Sequence, residues 1–214
     1  MINKKDFIEL EFTGRAKDGE IFDSNIKEDL AKLNPNAQPK LFVYPIGEKM
    51  FLDSIDEFLV GKDLGEYEIE LTPEKAFGNR DSKLIKLIPL KIFLEKKINP
   101  RPGMVFNFDN MLGKVIAASG GRVIIDFNNP LAGKTVIYKL RVLRKVDDIN
   151  EKVKSLMNFF FQREFDFEIQ EKKLIINAEK PFSDYLKIFK DKFKEILDLD
   201  LEVKEVESKK EESK

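Results

Sequence analysis

Over residues 7–13 apolar and polar side chains alternate: Ile8, Leu10 and Phe12 fall on one side, Glu9 and Glu11 on the other. A period of two belongs to a strand with one buried face; a helix puts such residues on all sides. The pattern returns in Phe42, Tyr44 and Ile46, and in Tyr67, Ile69 and Leu71 set between Glu66, Glu68 and Glu70. It returns once more in Val136, Tyr138, Leu140 and Val142. Each run is short and ends at turn residues: Asp18-Gly19 precedes a return strand at 21–23, Gly47 follows Ile46, and Thr72-Pro73 follows Leu71. Residues 25–40 carry Asn34, Pro35, Asn36 and Pro39 and read as an irregular loop with one helical turn at 27–32. Only residues 49–60 switch to helical spacing, with Phe51, Ile55, Phe58 and Leu59 at i, i+4, i+7 and i+8 and Gly61 placed to stop the helix. Several antiparallel strands and one short helix make an α+β pattern.

Residues 83–129 read as a second unit. Residues 84–88 are strand-like, Pro89 opens a helical turn carrying Leu90, Phe93 and Leu94, and Pro100 and Pro102-Gly103 make a turn. Met104, Phe106 and Phe108 alternate, and 115–118 and 123–127 flank Ser119-Gly120-Gly121 as a hairpin. The alternation over 135–143 reads as the closing strand of the first unit, so 83–129 is an insertion with both ends entering the first domain. A third unit begins near 147. Asp148-Ile149-Asn150-Glu151 fits a capping box with Asp in first place, and Val153, Leu156, Met157 and Phe160 continue a helical stripe. Alternation at Phe165, Phe167 and Ile169 and a return at 174–177 follow. One helical face then runs from Phe182 to Leu197, and Leu199, Leu201 and Val203 alternate. The expected division is 1–82 with 130–146, 83–129, 147–206, and a charged, Ser-containing tail at 207–214 predicted to be disordered.

Composition narrows the chemistry. The chain has no His and no Cys, which removes imidazole acid–base catalysis, thiolate nucleophiles, disulfides and all His or Cys metal ligands. No cofactor or metal is expected. A net charge of -1 gives no basic footprint for nucleic acid, and no run approaches the length of a membrane span. The N-terminus lacks the apolar core of a secretion signal, so the expected compartment is the cytoplasm. Asp56-Glu57 is expected on a charged helix face with no catalytic part. Lys83, Lys86, Lys91, Lys96, Lys97 and Arg101 make the insert locally basic, either as a solvated face or as a docking surface for acidic clients. With 19 Phe against 4 Tyr, the chain is suited to work by apolar contact.

Three strings carry a resemblance when taken in order: FTGRAKDGEIFDS at 12–24, FVYPIGEKMFLDSIDEFLVGKDLGEYEIELTPEKAFGNRD at 42–81, and NNPLAGKTVIYKLRV at 128–142. Together they resemble the FKBP family of peptidyl-prolyl cis–trans isomerases. The insertion between AFG and NNPLAGKT is similar to the insert-in-flap domain of SlyD-type members, and the C-terminal extension resembles that of long archaeal members. The resemblance implies an antiparallel half-barrel around the 49–60 helix, with the small β-rich insert and a C-terminal α+β domain appended. It further implies a pocket lined by Phe12, Phe22, Asp23, Phe42, Phe51, Leu52, Ile55, Phe77 and Tyr138. In that pocket Ile55 is the floor, Phe22, Phe77 and Tyr138 wall the proline ring, the Leu52 N–H donates to a substrate carbonyl, and Asp23 is the one ionisable group. Phe12 and Phe77 stand where relatives commonly carry Tyr, Phe51 where Val is usual, Ser54 for a usual Gly, and Asn129 for a frequent His. Each missing hydroxyl would cost roughly 0.5–1.5 kcal/mol, about tenfold in rate at most.

X–Pro isomerisation crosses an amide-resonance barrier of about 18–20 kcal/mol without moving a proton or breaking a bond, so a chain free of His and Cys is suited to it. The expected function is isomerase and folding chaperone acting on unfolded or nascent polypeptides, with no nucleic acid or membrane partner. Leu87, Ile88, Leu90, Ile92, Phe93, Leu94 and Met111 of the insert are the expected client-binding residues, with strand addition as one mode. Two alternatives stand beside it. One is a non-catalytic holdase with a drifted pocket; the other is a binding adaptor that homodimerises through its C-terminal domain.

Overall fold

The computed structural model describes residues 1–180 and 182–206; the tail predicted at 207–214 lies outside the described residues. The chain begins with β1 (Phe7–Ala16), β2 (Ile21–Ser24), α1 (Lys27–Leu33), β3 (Val43–Pro45), α2 (Asp53–Leu59) and β4 (Gly65–Leu71). It continues with β5 (Ile85–Pro89), α3 (Leu90–Glu95), β6 (Val105–Phe108), β7 (Met111–Ser119), β8 (Arg122–Asp126) and β9 (Val136–Lys145). It ends with α4 (Ile149–Phe161), β10 (Phe167–Gln170), β11 (Lys173–Ala178), α5 (Phe182–Lys187), α6 (Lys190–Leu197) and β12 (Asp200–Glu205). Among the described residues this is a mixed fold with three sheets. A five-stranded sheet has the order β2-β1-β9-β4 with β3 paired to β1, a four-stranded sheet runs β5-β8-β7-β6, and a three-stranded sheet runs β10-β11-β12.

Two compact units divide the chain: Met1–Thr13, Asp23–Ile69 and the chain from Lys139 onward form one, and Gly14–Phe22 with Glu70–Tyr138 form the other. In the first, Ile8, Leu10, Ile46, Ile55 and Leu59 are wholly buried, with Leu140 and Val142 from β9 beside them in the core. Along β9 the alternation read from 135–143 is a burial pattern, whereas β1 is buried on both sides: Glu9, expected on an open face, is only 8% exposed. The helix expected over 49–60 starts only at Asp53. Lys49 adopts a left-handed φ of 58°, which a helix cannot continue through, so Phe51 sits ahead of the helix. Asp148 caps α4 as expected, its carboxylate accepting from the Glu151 N–H at 2.8 Å. Arg144 of β9 ties this helix to the sheet: its Nε donates to Glu9 at 2.7 Å and its Nη1 to Glu151 at 3.0 Å. β11 pairs antiparallel with β10 and parallel with β12, and the parallel pair requires a crossover, which α5 and α6 supply. The single helix expected from Phe182 to Leu197 is two. Ile188 and Phe189 donate to the carbonyls of Tyr185 and Leu186, three residues back, and this tighter winding ends α5.

The second unit contains residues 83–129, the stretch read above as an insert. Phe93, Val115, Val123 and Ile125 form its core, with Ile88, Leu90, Phe106, Phe108 and Phe127 packed against them. The β6–β7 turn is Asp109-Asn110, both at positive φ (47° and 69°), a two-residue hairpin geometry that Asp and Asn tolerate. β7 therefore begins at Met111, not at 115. Gly113 lies inside it because a Cβ there would come within 2.5 Å of Ile125 Cγ2. The insert's two connections are clasped. Arg80 pairs with Asp126, the Asp81 N–H donates to Asn128 Oδ1 at 2.8 Å, and Asn128 Nδ2 donates to the Asp81 carbonyl at 3.0 Å. Burial opposes ionisation of Asp126, but the hydrogen bonds from Asn128 and the charge of Arg80 outweigh it and hold its pKa below the usual Asp value.

Candidate active site

The sequence-predicted residues of the first unit gather around α2. Phe12 projects from β1, Phe42 immediately precedes β3, Phe51 and Leu52 lead into α2, and Ile55 lies in its first turn. The Phe12 ring centroid is 4.9 Å from Phe51 and 5.6 Å from Phe42, and Phe42 and Phe51 are 5.4 Å apart. Such tilted and edge-to-face pairs are the favourable arrangements of aromatic rings. Phe42 and Phe51 are half-buried, Phe12 is nearly buried and Ile55 fully so. Leu52 is the N-cap of α2: its carbonyl accepts from the Ile55 N–H at 2.8 Å, and its own N–H makes no hydrogen bond among the described residues.

Polar residues that the sequence reading passed over fix this group. Tyr44 is buried and stacks on Phe42 at 4.8 Å. Its hydroxyl donates to Asp56 Oδ1 at 2.9 Å, and the Gly47 N–H donates to Asp56 Oδ2 at 2.9 Å. Asp56 is only 3% exposed, which corrects its expected place on a charged helix face. The helical pattern showed the neighbouring Glu57 but not the partners that arrive from β3 and the turn after it. Burial raises the Asp56 pKa above the usual Asp value despite both hydrogen bonds, and burial with the adjacent Asp56 charge raises that of Tyr44. On the other side, Asn25 Oδ1 accepts from the Phe12 N–H at 2.8 Å, and Ser24 Oγ donates to the Phe12 carbonyl at 2.9 Å. These two residues follow Asp23 directly, so the string DSN at 23–25 is the signal that locates them. Asp23 itself is exposed at the surface, yet partial desolvation of its carboxyl raises its pKa, offset in part by the Ser24 N–H.

In the second unit Phe22, Phe77 and Tyr138 form a group of their own. Phe22 meets Phe77 edge-on at 5.6 Å and Tyr138 at 5.7 Å. Tyr138 is buried and the two Phe rings are half-buried. Gly14 makes the contact possible: a Cβ at that position would stand 2.8 Å from both Phe22 Cζ and Tyr138 Cε1. Of the expected client-binding residues, Leu87, Ile92, Leu94 and Met111 are exposed, while Ile88 and Leu90 pack against the insert's core. Phe93 is 4% exposed at the centre of that core, so it holds the insert together and offers no surface to a client. Among the described residues no group of three or more carboxylates is placed to hold a metal ion, and no helix is long and apolar enough to cross a membrane.

Comparison with known proteins supplies the family. Residues 1–98 match the family described as FKBP-type peptidyl-prolyl cis-trans isomerase, and residues 86–131 match the one described as FKBP26, IF domain. The chain is 30% identical over 147 residues to the short-type peptidyl-prolyl cis-trans isomerase of Methanocaldococcus jannaschii, an alignment covering 66% of this chain and 92% of that protein. It is 29% identical over 139 residues to the FKBP-type peptidyl-prolyl cis-trans isomerase SlyD of Aeromonas hydrophila, covering 63% of this chain and 60% of SlyD. It is 29% identical over 114 residues to the FKBP-type 16 kDa peptidyl-prolyl cis-trans isomerase of Escherichia coli, covering 50% and 74%. The match over residues 1–98 and the relatives' identity, which for the Methanocaldococcus jannaschii protein spans 92% of its length, place the chain in the FKBP-type peptidyl-prolyl cis–trans isomerase family, as a SlyD-like member and an enzyme of that activity.

Proposed function

We propose that this isomerase is also a folding chaperone, acting on X–Pro bonds of unfolded or nascent polypeptides in the cytoplasm, with residues 83–129 as the client-holding domain. The observation that carries the catalytic half is the Phe12–Phe42–Phe51 group beside Ile55, an apolar surface with the Leu52 N–H, unbonded among the described residues, at its edge. An X–Pro amide held there loses water. Its planar, polar form is disfavoured relative to the twisted form, and the Leu52 N–H orients the substrate carbonyl. No proton moves, so Asp23 acts as an electrostatic and hydrogen-bonding group and not as an acid or base.

The holding half rests on the exposed apolar residues of the insert, Leu87, Ile92, Leu94 and Met111. We propose residues 147–206 as a C-terminal domain and the site of homodimerisation, with neither nucleic acid nor membrane as a partner. The test is removal of residues 83–128 with a short loop in their place. That deletion takes out Asp126 and Asn128 of the clasp but keeps the Gly133 N–H bond to the Gly78 carbonyl at 2.8 Å, and loop closure adds a term that grows slowly with length. Turnover of a proline tetrapeptide is expected to survive within about tenfold, equivalent to roughly 1.4 kcal/mol of barrier, while catalysis of protein refolding falls much further. Intact suppression of aggregation after the deletion would move client holding out of the insert.

A further inference from the structure

The insert's sheet has two faces, and its packed core covers one of them. The strand register puts Val123 and Ile125 of β8, Ile88 of β5 and Val115 of β7 on the face that packs with Phe93. The opposite face carries Ile85 and Leu87 of β5, Ile124 of β8, Leu112 of β7 and Val105 of β6. Leu87 and Val105 are each 56% exposed and Leu112 67%, and Ile116 stands exposed at the bulge between Val115 and Ala117. So many large apolar side chains on one open sheet exceed the scattered exposure of an ordinary surface.

The exposed charge on this face has one sign. Lys114 pairs in register with Asp126 on β8, and Arg122 lies two residues along from Ile124, so both cations share the open face. Neither Lys114 nor Arg122 makes an ion pair among the described residues. Asp126, the carboxylate nearest them in register, is buried and already taken by Arg80. Residues 83–129 hold eight lysines and arginines against three carboxylates, in a chain whose total charge is -1. Of those three, Glu95 faces Lys91 and Asp126 faces Arg80, so only Asp109 is left to oppose the excess.

We propose that this open face docks extended apolar segments of unfolded polypeptide that carry acidic side chains, and turns away segments that carry basic ones. The proposal rests on the reading of 83–129 as the client-holding domain and adds the chemistry of the client. Apolar area supplies the attraction. Lys114 and Arg122 supply the sign selection, because a lysine docked beside them leaves like charges together in a partly desolvated contact. Exposed ion pairs are individually weak and screened by salt, so selection by these two cations amounts to about tenfold at low salt and fades as salt is added.

The full chain is titrated, by anisotropy of a neutral dye, with three proline-free peptides of equal length that alternate Leu with Asp, with Ser or with Lys. The expected order of affinity is Asp, then Ser, then Lys. The Asp-to-Lys ratio should be about tenfold at low salt and fall toward one in high salt. The Lys114→Glu, Arg122→Glu double variant, its fold checked by circular dichroism and thermal melting, should reverse that order while still binding the Ser peptide. Equal binding of all three peptides at every salt concentration overturns the charge selection and leaves the holding domain standing; so does an unchanged order in the folded double variant. Failure to bind any of the three overturns the client-holding reading itself. If the double variant does not fold, the salt series on the unaltered chain decides alone.

Discussion

Replacing Tyr44 by Phe removes one oxygen from the interior of the first unit and leaves the ring in place. Tyr44 is fully buried, and its hydroxyl donates at 2.9 Å to a carboxylate, Asp56, that is itself 3% exposed. After the change that carboxylate keeps only the Gly47 N–H. A hydrogen bond to a charged group contributes about 1.5–3 kcal/mol, so the expected loss at neutral pH is ~2 kcal/mol, or roughly 4–8 °C in melting temperature for a chain of this size. The sign of the pH dependence follows from burial. Asp56 already has a raised pKa in the folded state, so its contribution to stability is present below the unfolded value near 3.8 and is lost as pH rises through the folded one. The Tyr44 hydroxyl works against that rise by favouring the ionised carboxylate. Tyr44→Phe therefore costs most where Asp56 is charged, and the difference between the two proteins shrinks as pH falls through the folded pKa of Asp56. Denaturant unfolding in a series from about pH 7 to about pH 4 measures it. Tetrapeptide turnover should change by less than about threefold, because the stack on Phe42 remains. A stability loss that stays constant or grows on acidification, or one below ~0.5 kcal/mol at neutral pH, refutes the buried pair as described.

Three further substitutions test the candidate site. Asp23→Asn should lower isomerase turnover while leaving thermal stability at neutral pH unchanged or slightly raised, since desolvation opposes the charge that is removed; the gain should vanish once acid protonates Asp23 in the parent. Phe77→Ala belongs to the same series, and an equal loss of folding and activity there would mean that the ring is only core. Gly14→Ala forces a methyl to within 2.8 Å of Phe22 and Tyr138, so overpacking of about 1–3 kcal/mol is expected, together with displaced aromatic proton shifts of both rings; a melting temperature within error of the parent's would contradict the tight contact.

The elements that could be read from the sequence are those whose pattern is local. The alternation over 7–13 and 135–143 became β1 and β9, and the Asp148 cap became the start of α4, because side-chain period and capping chemistry are set within a few residues. What escaped was tertiary. The apolar spacing of 49–60 is helical throughout, yet the backbone turns at Lys49 and the helix is seven residues long. Asp56 looked like half of a surface pair because its partners, Tyr44 and Gly47, come from a strand and a turn whose approach no spacing encodes. Phe93 was one more exposed-looking aromatic until the insert's core closed over it, and the residues that do stand open, Val105 and Leu112, belong to a face that only strand register defines. The Asp109-Asn110 turn was missed because the strand it opens contains Gly113, which interrupts the alternation yet is required by the close approach of Ile125. The order of the three motif strings carried the family, since it fixes the sequence of strand, helix, strand and insertion.

The most direct test of the account is a protease-free assay of cis-to-trans relaxation in a proline tetrapeptide, followed after a solvent jump with and without the chain. Uncatalysed relaxation takes about 10–100 s at room temperature. The account predicts faster relaxation in proportion to protein concentration, unchanged by a chelator and lost on replacing Phe12 or Phe51 with a polar residue in a variant that still folds. Relaxation indistinguishable from the uncatalysed rate, or catalysis that vanishes with the chelator and returns with added nickel or zinc, would contradict it.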